Sequence, residues 1–126
     1  MMHFGYGIGS LLGFFYYIHK WKDKDIIDKH FQGFGRTKTD RNGQFFFRTI
    51  VPTEYPGRTP HIHMKLWREG KNILTTQLYI HNHPKNETDF LFQRLGLTEQ
   101  RINSMKLIPA TDKNSAELRT FIKIVI

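Results

Sequence analysis

The chain contains no cysteine. That absence excludes thiol nucleophiles, thiolate metal sites and a disulfide framework. Any bound metal would have to use imidazole, phenolate, carboxylate or water. Neighbouring basic residues are missing as well. The 19 Lys and Arg outnumber the 11 Asp and Glu, for a formal charge of +8, yet no two lie side by side. Such a surplus favours anionic ligands in general. The basic stripe interleaved with exposed aromatics that marks a nucleic-acid surface is lacking, so no nucleic-acid partner is expected. No uninterrupted apolar run reaches the ~20 residues of a membrane span. The nearest, residues 1–18 (MMHFGYGIGSLLGFFYYI), is broken by His3, Ser10 and four glycines, and no Lys or Arg precedes it. The positive start of a signal peptide is therefore absent too, and the chain is read as cytoplasmic, without a membrane partner. There is no internal repeat, linker or low-complexity stretch. A length of 126 residues suits one domain with a real core.

What is present is a series of short alternating segments punctuated by glycine and proline. Residues 20–30 (KWKDKDIIDKH) are charged and read as an exposed loop, and Gly33 and Gly35 mark the entry to a strand. Asp40, Asn42 and Gly43 make a hairpin-type turn before an aromatic strand over residues 44–50. Pro52, Pro56, Gly57 and Pro60 then hold an extended loop, since the residue before each proline is pushed toward β or polyproline conformations. Residues 61–67 (HIHMKLW) form a second strand, 68–72 a turn, and 73–80 (ILTTQLYI) a third strand with Leu74, Leu78 and Ile80 on one face. Residues 86–95 and 98–105 have the polar starts of short helices. Residues 118–126 close the chain as a strand with Ile122, Ile124 and Ile126 inward. The expected fold is all-β: a β-sandwich with short helices in the C-terminal third.

Chemistry concentrates in one stretch. Successive strand residues face opposite ways. In HIHMKLW, Ile62, Met64 and Leu66 thus share the core face, while His61 and His63 share the other. Tyr55 and Arg58 stand on the stiff loop just before them. An H-x-H pair alone is a weak signal, because exposed strand histidines are commonly just surface; the phenol and guanidinium nearby raise it. Imidazole suits iron, zinc and copper, and a phenolate favours a hard, highly charged ion such as ferric iron. A second H-x-H, His81 and His83, lies in a loop before Pro84 and is read as surface. Arg36 and Arg48 are read as exposed strand arginines, Tyr79 as packing, and Phe45, Phe46 and Phe47 as core and edge aromatics.

The string FQGFGRTKTDRNGQFFFRTIVPTEYPGRTPHIHMKLW, with LTTQLYI, NHPKNETD and the closing ELRTFIKIVI, resembles the intradiol ring-cleavage dioxygenases. The resemblance runs from about residue 17 to residue 126 and is nearest to single-domain proteins similar to the protocatechuate 3,4-dioxygenase β chain. It implies a non-haem Fe(III) centre held by two tyrosines and two histidines. Carried onto this sequence, these are Tyr55, His61, His63 and Tyr17 of a Y-x-H motif, with Tyr16 the neighbouring alternative. It further implies that Arg58 stabilises negative charge developing on the substrate, that Gln77 lines the same pocket, and that Tyr17 leaves the metal to act as a base. Substrates would be a small aromatic diol, protocatechuate- or catechol-like, and O2, with cleavage between the two oxygenated carbons to a cis,cis-muconate-type diacid.

The N-terminus departs from the pattern. The family carries further strands upstream of Y-x-H, including a segment similar to W-x-x-D-x-x-G-x-Y, where this chain has LLGFFY. Residues 1–16 are therefore read as atypical, the start of a truncated or mis-started chain, with a sheet edge left bare. An oligomer in which a partner chain supplies the upstream strands is compatible with this reading. Two alternatives stand beside the enzyme: a non-catalytic β-sandwich binding domain, and an inactive fragment of such an enzyme. The T-D-x-x-G-x-F-x-F part of the string fits all three. YPGRTPHIH separates the enzyme and its fragment from the binding domain, because a plain binding sandwich has no need of that Tyr, Arg, His, His set.

Overall fold

The structure, a computed structural model, describes residues 2–5, 13–17, 34–109, 118–124 and 126. Its strands are β1 (Met2–Gly5), β2 (Gly13–Tyr17), β3 (Phe34–Lys38), β4 (Phe46–Thr49), β5 (His61–Arg68), β6 (Lys71–Ile80), β7 (Ser104–Met105), β8 (Ile108–Pro109) and β9 (Leu118–Phe121). They form two sheets, one in the order β4-β1-β9-β8 and the other β3-β2-β5-β6-β7. Between β6 and β7 lie a 3₁₀ turn (Pro84–Glu87) and two short helices, α1 (Phe90–Gln93) and α2 (Leu97–Ile102). The all-β sandwich with short helices in the C-terminal third is borne out.

The centre of the second sheet is the antiparallel pair β5 and β6. Glu69 and Gly70 both have positive φ, 50° and 76°, which is what a two-residue hairpin loop with the right twist requires. Alternation in β5 is as expected: Ile62, Met64 and Leu66 are 0–2 % exposed. They join Phe45, Leu78, Met105, Ile122 and Ile124 in one core cluster, with Phe47, Leu74, Ile80 and Leu107 packed against it. The cluster draws on both sheets, so it is the filling of the sandwich. Gly35 sits inside β3 with the Phe47 ring of the other sheet against it, and a Cβ there would collide with that ring. The close approach explains glycine at this position better than a role in punctuation.

Several boundaries differ from the sequence reading. The aromatic strand is shorter than 44–50. The second predicted helix ends at Ile102, and Ser104 and Met105 instead pair in parallel with Tyr79 and Ile80 of β6. That bridge is tertiary and leaves no local signature. The first predicted helix divides into the 3₁₀ turn and α1, because Asp89 caps a new start by accepting from the N–H groups of Leu91 and Phe92. The last strand ends at Phe121; Ile122 and Ile124 are buried, but Ile126 is half exposed, not inward. The N-terminal stretch supplies β1 and β2, while the charged segment 20–30 and Gly33 lie outside the described residues.

Candidate functional site

Tyr55, Pro56, Gly57 and Arg58 make a tight turn. The Arg58 N–H donates to the Tyr55 carbonyl at 2.9 Å, and Gly57 has φ 79°. Proline followed by a residue with positive φ is the type II signature. The turn holds Tyr55 and Arg58 opposite one another as a small bridge, so both side chains leave from one end of the loop. Thr59, fully buried, anchors the next step. Its N–H donates to Asp89 Oδ2 (2.8 Å) and its hydroxyl to Asn86 Oδ1 (2.7 Å).

His61 is buried, and its Nδ1 lies 2.7 Å from the Thr59 carbonyl. A carbonyl only accepts, so Nδ1 carries the proton and Nε2 keeps its lone pair. That lone pair faces the Tyr55 hydroxyl at 3.3 Å. The His61 ring is 5.0 Å from the His63 ring and 5.3 Å from the Tyr55 ring, centroid to centroid. Two donors each ~2.1 Å from one ion stand ~3.0 Å apart at a right angle and ~3.4 Å apart at a tetrahedral angle. The Tyr55 oxygen and the His61 nitrogen fall in that range, and a phenol with imidazoles is a hard-leaning donor set suited to ferric iron. Among the described residues, no three His, Cys, Asp or Glu side chains converge as a metal site. A metal centre built on His61 and His63 from the described residues would draw its further donor from a group such as the Tyr55 phenol.

Arg58 is knitted into the same cluster. Its Nε donates to Asp89 Oδ2 (2.8 Å), its Nη2 to Gln77 Oε1 (2.5 Å) and its Nη1 to the Tyr55 hydroxyl (3.3 Å). The guanidinium also lies 5.5 Å from the centroid of the exposed Phe90 ring, within cation–π range. Gln77 Oε1 accepts a second bond, from the Tyr79 hydroxyl at 2.8 Å, so the amide N–H₂ is the free end of Gln77 as far as these two donors dictate. Tyr79 is buried. Burial first, and then the charge of Asp89, push its phenol up to about 12, so it serves as a neutral donor and not as a phenolate.

The sequence reading missed Asp89. Its carboxylate is fully buried and pairs with Arg58, itself 10 % exposed at the side chain. Burial alone would raise the Asp89 pKa. The N–H groups of Phe92 and Thr59 and the Arg58 guanidinium outweigh it, and hold the carboxyl below the usual carboxylate range. A group whose folded pKa is depressed stabilises the fold above its unfolded pKa, about 3.9 for Asp. That contribution is lost as pH falls through the folded value. We expect the thermal midpoint of the wild type to drop more steeply below about pH 4 than that of Asp89→Asn, followed by circular dichroism from pH 7 to 2.5. Parallel curves would mean that the ion pair carries no linked proton.

Tyr17 falls at the register position directly opposite His63, and Tyr16 opposite Met64 of the core. Ile18 and His19 lie outside the described residues. Of the residues read as surface, Arg36, Arg48 and His81 are exposed. His83 is half-buried and caps the 3₁₀ turn by accepting from the Lys85 N–H. Both histidines line a cleft of about 440 Å³ with Phe92 and Arg101, to which Tyr55, Arg58, His61 and Gln77 do not contribute.

No family model matches the chain. A search of curated proteins finds the protocatechuate 3,4-dioxygenase beta chain of Burkholderia cepacia, 38% identical over 86 residues, which is 61% of this chain and 37% of that relative. Among solved structures, the dioxygenase domain of a dioxygenase and carbohydrate-binding protein fusion from Streptomyces sp. SirexAA-E is 28% identical. It aligns with a TM-score of 0.70 over 99% of this chain and 78% of that one. The chain is similar in sequence to a protocatechuate 3,4-dioxygenase chain and in fold to intradiol ring-cleavage dioxygenases. An intradiol ring-cleavage dioxygenase from Tetranychus urticae, at 17% identity, has the same fold: TM-score 0.70, covering 98% of this chain and 78% of that one. The chain spans little more than a third of the length of the Burkholderia cepacia protein it matches. Among the described residues, no helix is long and apolar enough to cross a membrane.

Proposed function

We propose that this chain is a non-haem Fe(III) intradiol dioxygenase that opens the ring of a protocatechuate- or catechol-like diol with O2, giving a cis,cis-muconate-type diacid. The observation that carries the reading is the 3.3 Å approach of the Tyr55 hydroxyl to the lone-pair nitrogen of His61, with Arg58 and Gln77 bonded alongside. Tyr55, His61, His63 and Tyr17 would hold the iron. The register supports Tyr17 over Tyr16 as the fourth, since directly opposed residues are the nearest cross-strand neighbours and Tyr16 opposes a core methionine. Ferric iron, when bound, supplies Lewis acidity that orients and activates the diol. Arg58 provides a fixed positive charge toward which negative charge on the substrate can develop, at little cost in reorganisation. Gln77 offers its amide N–H₂ as an orienting donor. Tyr17 is the base that takes a diol proton, and the Phe90 ring lies 5.5 Å from the guanidinium. The net charge of +8 accords with an anionic substrate such as a carboxylated diol.

The test is a visible spectrum of the iron-reconstituted protein, before and after anaerobic addition of catechol. A phenolate-to-iron band that shifts with catechol, followed by ring cleavage on admitting air, is the expected result. A colourless protein that retains no iron would leave the fold without this chemistry.

A further inference from the structure

Outside the four proposed ligands and Arg58, the Asp89 side chain accepts four hydrogen bonds, one of them from a guanidinium thirty-one residues away along the chain. Its two oxygens do different work. Oδ1 accepts from the N–H groups of Leu91 and Phe92 and starts α1. Oδ2 accepts from Arg58 Nε and from the Thr59 N–H, each at 2.8 Å. A single carboxylate thus ties the start of α1 to the loop that delivers Arg58 and, through Thr59, the residue whose carbonyl orients His61. Helix capping needs only an oxygen, which Asn or Ser supplies nearly as well. The charge and the second oxygen serve the guanidinium instead. Arg58 hangs on several rotatable bonds and is 10 % exposed; without an anionic anchor on Nε, its donors could pivot away from Gln77 and Tyr55.

We propose that Asp89 is the positioning residue of this site, fixing the Arg58 guanidinium so that its remaining N–H donors face the substrate. As a role in turnover, this rests on the function proposed above; as a statement about Arg58, it does not. The first measurement therefore uses the metal-free protein. The side-chain ¹⁵Nε–¹Hε signal of Arg58 is expected to be sharp and slow to exchange in the wild type. In Asp89→Asn it is expected to broaden or exchange at least roughly tenfold faster. Should Asp89→Asn fail to fold, Asp89→Ser keeps the cap and removes the anchor. An Arg58 signal unchanged in a folded variant overturns the proposal.

The second measurement is a double-mutant cycle on the iron-loaded protein. Asp89→Asn is expected to lower kcat roughly 10- to 100-fold, the scale of a misplaced catalytic group, while the phenolate-to-iron band stays in place. In an Arg58→Gln background the same change should cost less than about twofold, because the group it positions is gone. An undiminished loss in that background means Asp89 acts on the fold generally, and overturns the positioning role. If the wild type proves inactive while the Arg58 signal still responds to Asp89→Asn, the anchoring stands and the dioxygenase reading fails.

Discussion

Tyr55→Phe is expected to weaken and shift the phenolate-to-iron absorption, leaving only the contribution of Tyr17, and to lower iron affinity by more than roughly 100-fold, while leaving the fold almost untouched. The first part follows from the donor set. Altering a residue that merely supports a metal ligand costs ~10–100-fold in affinity or activity, and losing an anionic ligand should exceed that. Phenylalanine cannot donate an oxygen to any metal. The second part follows from where the hydroxyl sits. It touches Arg58 Nη1 and His61 Nε2, each at 3.3 Å, and both are long for strong bonds. Arg58 keeps Asp89 and Gln77, and His61 keeps the Thr59 carbonyl. Removing the hydroxyl should cost about 1 kcal/mol or less. The checks are iron content after reconstitution, the visible spectrum, and thermal melting of the metal-free form. A variant that binds iron as tightly as the wild type, with the band unchanged in position and intensity, would show that Tyr55 does not ligate the metal, and its assignment would fall.

The sequence made this cluster readable because its parts are local. Alternation along β5 separates two imidazoles from three core side chains within six residues, and a Pro-Gly pair writes the turn that sets Tyr55 against Arg58. Asp89 was not readable, because its partner is thirty-one residues away. Locally, an aspartate before Phe-Leu-Phe announces only a helix cap, and nothing in that signal reveals what its second oxygen does. Met105 escaped for a similar reason. It continues a helical-looking run, but a parallel bridge to β6 and complete burial draw it into a strand. Ile126 was read inward by extending an alternation whose strand had already ended at Phe121. His83 looked like a surface residue because its role as a cap depends on the 3₁₀ turn that follows it. The errors fall where long-range packing decides, and the successes where a period or a turn does.

Neighbouring residues of β5 should respond to truncation in opposite currencies. Ile62→Ala is expected to destabilise the metal-free protein by about 2–5 kcal/mol, the usual range for emptying a fully buried aliphatic site. Ile62 is 0 % exposed and sits in the cluster that joins the two sheets. Its neighbours there are Met64, Leu66 and Leu78, themselves nearly inaccessible, so relaxation into the cavity is limited. Against a total of ~5–15 kcal/mol for an ordinary domain, such a loss brings the midpoint close to working temperature. His63→Ala, one position along and on the opposite face, removes a half-buried ring that lies edge-on to His61 at 5.0 Å. It should cost the metal-free fold about 1 kcal/mol and remove one proposed ligand. Denaturant unfolding of both variants without iron, then of both after reconstitution, separates the two effects. Iron should raise the midpoint of Ile62→Ala, by mass action on a folded state that still binds it, and should leave His63→Ala nearly where it was. Equal stabilisation of the two would mean that His63 does not hold the metal, and that the strand's polar face serves the site in some way other than ligation.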